Sequence, residues 1–163
     1  RYVSVTGVQT CALPIFKVLV DSNEITPEVA AKVPVTQAYE FFQSPFGQWI
    51  VQNSHALVRE QAFSYVLEAS EFFKSIQTDD LMMIHGIIDG YIELDDEIVV
   101  FDYKTDYVVD STEGIQSIVR KYKDQLNIYA DALSISCNKK VTRKVLCLLS
   151  INKNIDIYTL KVI

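Results

Sequence analysis

Two apolar runs separated by a pair of acids dominate the middle of the chain. From Ile84 to Asp106 it reads IHGIIDGYIELDDEIVVFDYKTD. Runs of this kind around a short polar interruption predict two strands, Met82–Leu94 and Glu97–Lys104, joined at a two-residue hairpin turn of Asp95 and Asp96. If Leu94 pairs with Glu97, every cross-strand pair sums to 191. Asp89 then faces Asp102, with Cβ atoms about 4.5–5.5 Å apart. Side chains alternate along a strand, so Asp102 and Lys104 point the same way, as do Ile87, Asp89 and Tyr91. Lys104 falls opposite Ile87. A slip of one residue would turn Asp89 to the other side of the sheet.

The flanking patterns supply the remaining elements. Thr26-Pro27-Glu28 offers a capping residue followed by proline, which starts a short helix that Pro34 ends. Thr36–Phe42 and Phe46–Gln52 read as two more helices on either side of Ser44-Pro45. Phe41, Phe42, Phe46 and Trp49 within AYEFFQSPFGQWI read as core packed against a sheet. A strand is expected over Ala56–Leu67 and a polar loop over Asp106–Gly114. A long helix follows from about Ile115 to Ser136, with Ile118, Tyr122, Leu126, Tyr129 and Leu133 forming an apolar stripe. Val141–Ile151 and Ile155–Val162 close the order as strands. Helices, three strands, a helix and two strands predict an α/β fold with a mixed central sheet flanked by helices.

The first fifteen residues, RYVSVTGVQTCALPI, are set apart. The run VTGVQTCALPI resembles the translation of a short-read sequencing adapter, so residues 1–15, with Cys11, are expected to be an artefact. Residues 16–163 are expected to form one domain. Hydrophobic residues are 49% and charged residues 22%, which suits a globular chain and excludes a disordered one. No apolar run reaches the roughly 18 residues of a membrane span, and no membrane partner is expected. Cys137 and Cys147 form no CxxC pair and are expected as reduced core residues of a cytosolic protein, without an iron–sulfur cluster.

Net charge is −6, unlike a free-standing nucleic-acid-binding domain. Yet of fifteen Lys and Arg residues, nine follow Gly114: Arg120, Lys121, Lys123, Lys139, Lys140, Arg143, Lys144, Lys153 and Lys161. They read either as a solvated face or as a local patch that steers phosphate.

Asp89, Asp102 and Lys104 carry the candidate chemistry. Two like charges facing each other destabilise a hairpin, and a divalent cation between them would offset this. Two carboxylates and a lysine are the minimum equipment for metal-assisted phosphodiester cleavage. Gln125 interrupts the stripe of the long helix and needs partners if buried. It either bonds a neighbouring backbone group or, with Tyr129, braces the catalytic strand or the DNA backbone.

GIID at 86–89, DYK at 102–104 and QLNIYA at 125–130, in that order, resemble the RecB-like branch of the PD-(D/E)xK nucleases. DYKTD followed by YxxQLxxYAxAL is specific to that branch. With FFQSPFGQWI and VREQAF, the resemblance extends over 16–163 to the nuclease domain of bacterial ATP-dependent helicase/nuclease proteins. It implies a restriction-endonuclease-like fold and a Mg²⁺-dependent deoxyribonuclease acting in double-strand-break repair and recombination, with Mn²⁺ as an alternative ion. It also implies that Asp89, Asp102 and the backbone carbonyl of Tyr103 bind the metal. Lys104 would orient water and stabilise phosphate charge, with Gln125 and Tyr129 in support. The implied partners are single DNA strands from unwound duplex and a second helicase/nuclease subunit, in the bacterial cytoplasm.

The family also places a histidine ligand in a GTxxH-like segment, which has no counterpart here. His55 and His85 are poor substitutes, and Glu60 reads as a solvent-facing carboxylate rather than an outer ligand. No GxxxxGK[ST] loop is present, so no ATP site is expected in this piece. A catalytically incomplete module that docks DNA or another protein chain stays open as an alternative, as does a stand-alone nuclease of the same fold.

Overall fold

The structure, a computed structural model, describes residues 17–72 and 77–158. The suspected artefact at 1–15 and the end of the expected last strand lie outside these residues. The chain divides into two compact units between Gln48 and Trp49.

The first unit carries α1 (Pro27–Ala30), α2 (Val35–Gln43) and the start of α3 (Pro45–Gln52). Each start follows from local chemistry. The Thr26 hydroxyl accepts the Val29 N–H, and Pro27 sits in the first turn, where its missing N–H is not needed. Ser44 repeats the device for α3, its Oγ accepting from the Gly47 N–H at 3.1 Å. Phe41 and Phe46 are buried, whereas Phe42 is exposed, a correction to its reading as core. Adjacent residues on a helix point about 100° apart, so Phe41 and Phe42 do not share a buried stripe.

The second unit is built on a five-stranded sheet in the order β1-β2-β3-β4-β5. The strands are β1 (Leu57–Glu68), β2 (Leu81–Glu93), β3 (Glu97–Lys104), β4 (Lys140–Leu148) and β5 (Lys153–Asp156). A one-turn helix, α4 (Ala69–Phe72), follows β1. Only β3 and β4 run parallel, and α5 (Thr112–Cys137) makes the crossover between them. The sheet is therefore mixed and the class α/β, as the element order predicts. β5 is earlier than expected. Leu149–Ile151 forms a tight 3₁₀ turn and Asn152 adopts φ 48°, so the chain reverses before Ile155.

The hairpin register is the expected one. Gly90↔Phe101, Tyr91↔Val100, Ile92↔Val99 and Glu93↔Ile98 all sum to 191. The Leu94 N–H closes the Asp95–Asp96 turn on the Glu97 carbonyl at 2.9 Å. Alternation along β2 is not strict, however. Ile88 and Tyr91 both join the core against Leu133 of α5, while Ile87 is 58% exposed. Ile87, Asp89 and Tyr91 therefore do not form one face, and Lys104 has no ladder pairing with Ile87. The cause lies on β1. Arg59↔Gly90 and Gln61↔Ile88 bracket Glu60 against Asp89, and Glu60 adopts φ 51°. A left-handed residue inside a strand turns the ribbon over at that point, at a conformational cost of about 1–3 kcal/mol.

α5 is capped by Ser111, whose Oγ accepts the Gly114 N–H at 3.1 Å, and ends at Asn138 with φ 51°. Leu126, Tyr129, Ala130, Ala132 and Leu133 are its buried residues, and Ile118 and Tyr122 are half-buried beside them. They meet Ile98, Val100, Leu146 and Leu148 of the central strands. Cys147 is buried, and Cys137 only partly so.

Gly90 sits where Phe101 crosses over the backbone. A Cβ there would stand 2.4 Å from the ring of Phe101, which is 1% exposed and cannot swing into water. Gly90→Ala is expected to lower unfolding free energy by about 1–3 kcal/mol, read from the urea midpoint. An unchanged midpoint would mean that the ring yields without strain.

Candidate active site

Asp102 is the one charged side chain that is fully buried among the described residues, at 1% exposure. It lies on β3 between Phe101 and Tyr103 and pairs across the parallel ladder with Leu146. Strand geometry then returns Lys104 to its side two residues on. The Lys104 ammonium stands 2.6 Å from Asp102 Oδ2 and is 15% exposed. Apart from this ion pair, Oδ2 has no hydrogen-bond partner among the described residues. Burial raises the Asp102 carboxyl above the usual carboxylate range. Lys104 opposes that rise, and the negative charge of Asp89 adds to it.

Asp89 stands one step beyond the last backbone pair of β2 and β3. Its carboxylate makes the contact to β3 there, Oδ2 accepting the Tyr103 N–H at 2.8 Å. Asp89 is thereby tied to the residue that joins Asp102 to Lys104, and its charge reaches Asp102.

A hydrogen-bond chain from α5 holds the other side of β2. Gln125 Nε2 donates to the Tyr129 hydroxyl at 2.6 Å, and that hydroxyl donates to the Ile87 carbonyl at 3.0 Å. Phe63 stacks edge-on against Tyr129, with ring centroids 5.3 Å apart. Burial raises the Tyr129 phenol, Gln125 opposes this, and the charges of Asp102 and Asp89 reinforce it. Gln125 and Tyr129 are thus joined to the backbone of β2 at Ile87, two residues before Asp89.

Sequence reasoning overlooked Asp106 and treated Tyr122 as stripe alone. Both Asp106 carboxylate oxygens accept from the Tyr122 hydroxyl, at 3.1 and 3.0 Å. Lys121 donates to Asp106 Oδ1 at 2.8 Å and holds that carboxyl below its usual range. The Lys104 ammonium lies 4.3 Å from the centre of the Tyr122 ring. The signal was present in the last letter of DYKTD and the first of YxxQLxxYAxAL.

Other candidates stay outside this group. His85 is exposed and hydrogen-bonds Ser64 at 2.9 Å, His55 is exposed in the turn before β1, and Glu60 is exposed. Among the described residues, no three of His, Cys, Asp and Glu converge to hold a metal by themselves. Much of the basic set is paired: Lys121 with Asp106, Lys139 with Glu93, Arg143 with Asp156 and Lys153 with Asp110. Lys144 is hydrogen-bonded to Asn127 at 2.7 Å. No described helix is long and apolar enough to cross a membrane.

No family model matches the chain. It is similar to a segment of proteins named as the A subunit of an ATP-dependent helicase/nuclease. Identity is 40% over 144 residues in Enterococcus faecalis, covering 86% of this chain and 11% of that protein. It is 36% over 141 residues in Pediococcus pentosaceus, covering 85% and 11%. In Limosilactobacillus fermentum it is 42% over 125 residues, covering 74% and 9%. The match spans about a tenth of the length of these relatives.

The buried charge has a measurable consequence. A carboxyl group with a raised folded-state pKa contributes stability below its unfolded value of about 3.9, and that contribution disappears as pH rises through the folded value. In metal-free buffer, the stability of the native chain relative to Asp102→Asn is expected to fall as pH climbs from about 4. Urea unfolding across a pH series reads this, and parallel profiles for the two proteins would contradict it.

Proposed function

From this similarity to a segment of helicase/nuclease proteins, we propose that the chain is a Mg²⁺-dependent deoxyribonuclease domain with a PD-(D/E)xK site and a restriction-endonuclease-like fold. Its parent would be a DNA-end-processing helicase/nuclease of double-strand-break repair and recombination. The observation that carries the reading is a buried Asp102 carboxylate with an ammonium at 2.6 Å and a second carboxylate, Asp89, within electrostatic reach.

The donor set fits a hard divalent cation. Asp102 Oδ2 is buried with no partner among the described residues other than the Lys104 ammonium. Mg²⁺ commonly takes one or two protein carboxylates and fills its shell with water and substrate phosphate. Two acids thus suffice where, among the described residues, no third His, Cys, Asp or Glu converges. Asp89, Asp102 and the Tyr103 carbonyl would hold the ion, with Mn²⁺ as an alternative. When bound, such an ion neutralises phosphoryl oxygens and lowers the pKa of an attached water.

The chain's own groups do the rest. Lys104 presents a positive point charge to a non-bridging phosphate oxygen and orients the attacking water. Asp89 fixes the Tyr103 backbone through its N–H, and so sets the angle between Asp102 and Lys104. Gln125 and Tyr129 hold β2 at Ile87, two residues from Asp89. Water attacks phosphorus in line as the P–O bond to the leaving group breaks; the attacking water gives up one proton to solvent and the leaving oxygen takes one from solvent, so the hydrolysis balances. The substrate would be single strands delivered by the helicase part of the parent. A second helicase/nuclease subunit would be its partner, in the bacterial cytoplasm.

A second reading, a catalytically incomplete module that docks DNA or another protein chain, draws on the lack of a third converging ligand among the described residues. Two measurements separate them. Mg²⁺ or Mn²⁺ at about 100 times its Kd is expected to stabilise the chain by about 2.7 kcal/mol, a gain abolished by Asp89→Asn. In the full-length parent, Asp102→Ala and Lys104→Ala are each expected to abolish DNA cleavage while DNA-dependent ATPase survives. Undiminished cutting by both variants would end the nuclease reading. Metal stabilisation of a native parent that does not cut would favour the docking module.

A further inference from the structure

We propose that Tyr122, backed by Asp106, is a positioning residue that holds the Lys104 ammonium in place. The purpose of the device rests on the nuclease reading, while its geometry stands independently. A lysine ammonium is a point charge on a flexible four-carbon stem, so its location is set by what surrounds it. Here two groups do so: Asp102 Oδ2 at 2.6 Å and the Tyr122 ring, whose centre is 4.3 Å from Nζ.

The two differ in kind. A carboxylate attracts the ammonium but neutralises it. An aromatic face attracts a cation through its quadrupole and leaves the charge available to a third group. A residue meant to present positive charge to phosphate needs the second kind of support.

The ring is itself fixed. Its hydroxyl donates to the Asp106 carboxylate, with Oδ1 at 3.1 Å and Oδ2 at 3.0 Å. Asp106 is anchored in turn by Ser150, whose Oγ donates to the Asp106 carbonyl at 2.7 Å. Lys121 brings a second ammonium 4.7 Å from the same ring centre. Left bare, that cation would repel Lys104. Asp106 accepts its hydrogen bond at 2.8 Å and cancels its charge locally. One acid thus orients the ring and quiets the competing cation. A tyrosine serving only as core filler would need neither arrangement.

The test begins with the chain free of metal, its lysines reductively ¹³C-dimethylated so that their charge is kept. The Lys104 methyl resonance, assigned by its disappearance in Lys104→Arg, is expected upfield of those of exposed lysines because it lies over the ring. Tyr122→Leu is expected to remove the shift, and Tyr122→Phe and Asp106→Asn to reduce it. A Lys104 resonance with no upfield shift in the native chain overturns the proposal. So does a shift that persists in a folded Tyr122→Leu. If Tyr122→Leu does not fold, unchanged shifts in Tyr122→Phe and Asp106→Asn overturn it instead. In Mg²⁺, Tyr122→Leu is expected to lower kcat for single-stranded DNA by about tenfold at constant KM. A change in KM alone would also overturn it. If the native chain does not cut at all, the nuclease reading suffers and the resonances still decide the positioning role.

Discussion

A carboxylate sealed from water next to an ammonium is the constraint around which the sheet is arranged. Burying such a pair rarely adds stability, because removing two charges from water offsets their attraction. An apolar residue at 102 would suit the neighbourhood of Phe101, Val100 and Leu146, all of them buried. The rise in the Asp102 pKa expresses the same penalty in another form. A fold that tolerates this penalty on its central strand carries a group whose value lies elsewhere than in stability. This is the physical reason to look for chemistry at this place.

One helix supplies the supports on both sides of that group. α5 buries Leu126, Ala130 and Leu133 against the sheet, which fixes its height and rotation. Tyr122, Gln125 and Tyr129 then fall at i, i+3 and i+7 and share one side of it. Tyr129 reaches the Ile87 carbonyl on β2, and Tyr122 reaches Lys104 at the end of β3. The strands bearing Asp89 and Lys104 diverge just here, since their ladder stops at Gly90↔Phe101. Two polar clamps from a single rigid rod take over where backbone pairing ends. The Asp89 carboxylate, bonded to the Tyr103 N–H, fills the gap between them.

The parts of this arrangement that were legible in the sequence are those set by local periodicity. The hairpin register followed from a two-residue turn, and the long helix and its stripe from 3.6-residue spacing. What was lost depended on neighbours that are distant in sequence. Strict alternation along β2 failed because Glu60, on another strand, adopts a left-handed backbone opposite Asp89. Phe42 looked like core within an aromatic cluster, yet helical geometry turned it outward. Tyr122 matched the apolar stripe and is indeed half-buried, so the pattern concealed its polar role. Asp106 was assigned to a loop, where no periodicity could show that both its oxygens face a tyrosine from α5. The metal set, the nuclease chemistry and the fold family are carried by the resemblance, since no local periodicity encodes them.

Charge bears on how such a site would meet its substrate. The chain carries −6 overall, and several of its cations are committed to acids: Lys121 to Asp106, Arg143 to Asp156, Lys139 to Glu93 and Lys153 to Asp110. Paired charges release few counterions when a polyanion approaches, and counterion release supplies most non-specific affinity for DNA. A domain of this kind would be a weak DNA binder by itself. Under the proposed function, that weakness has a physical use. A nuclease with strong intrinsic affinity would compete with a motor for the strand and cut at random. One that relies on delivery acts on what the motor feeds to it, at a rate set by translocation rather than by capture.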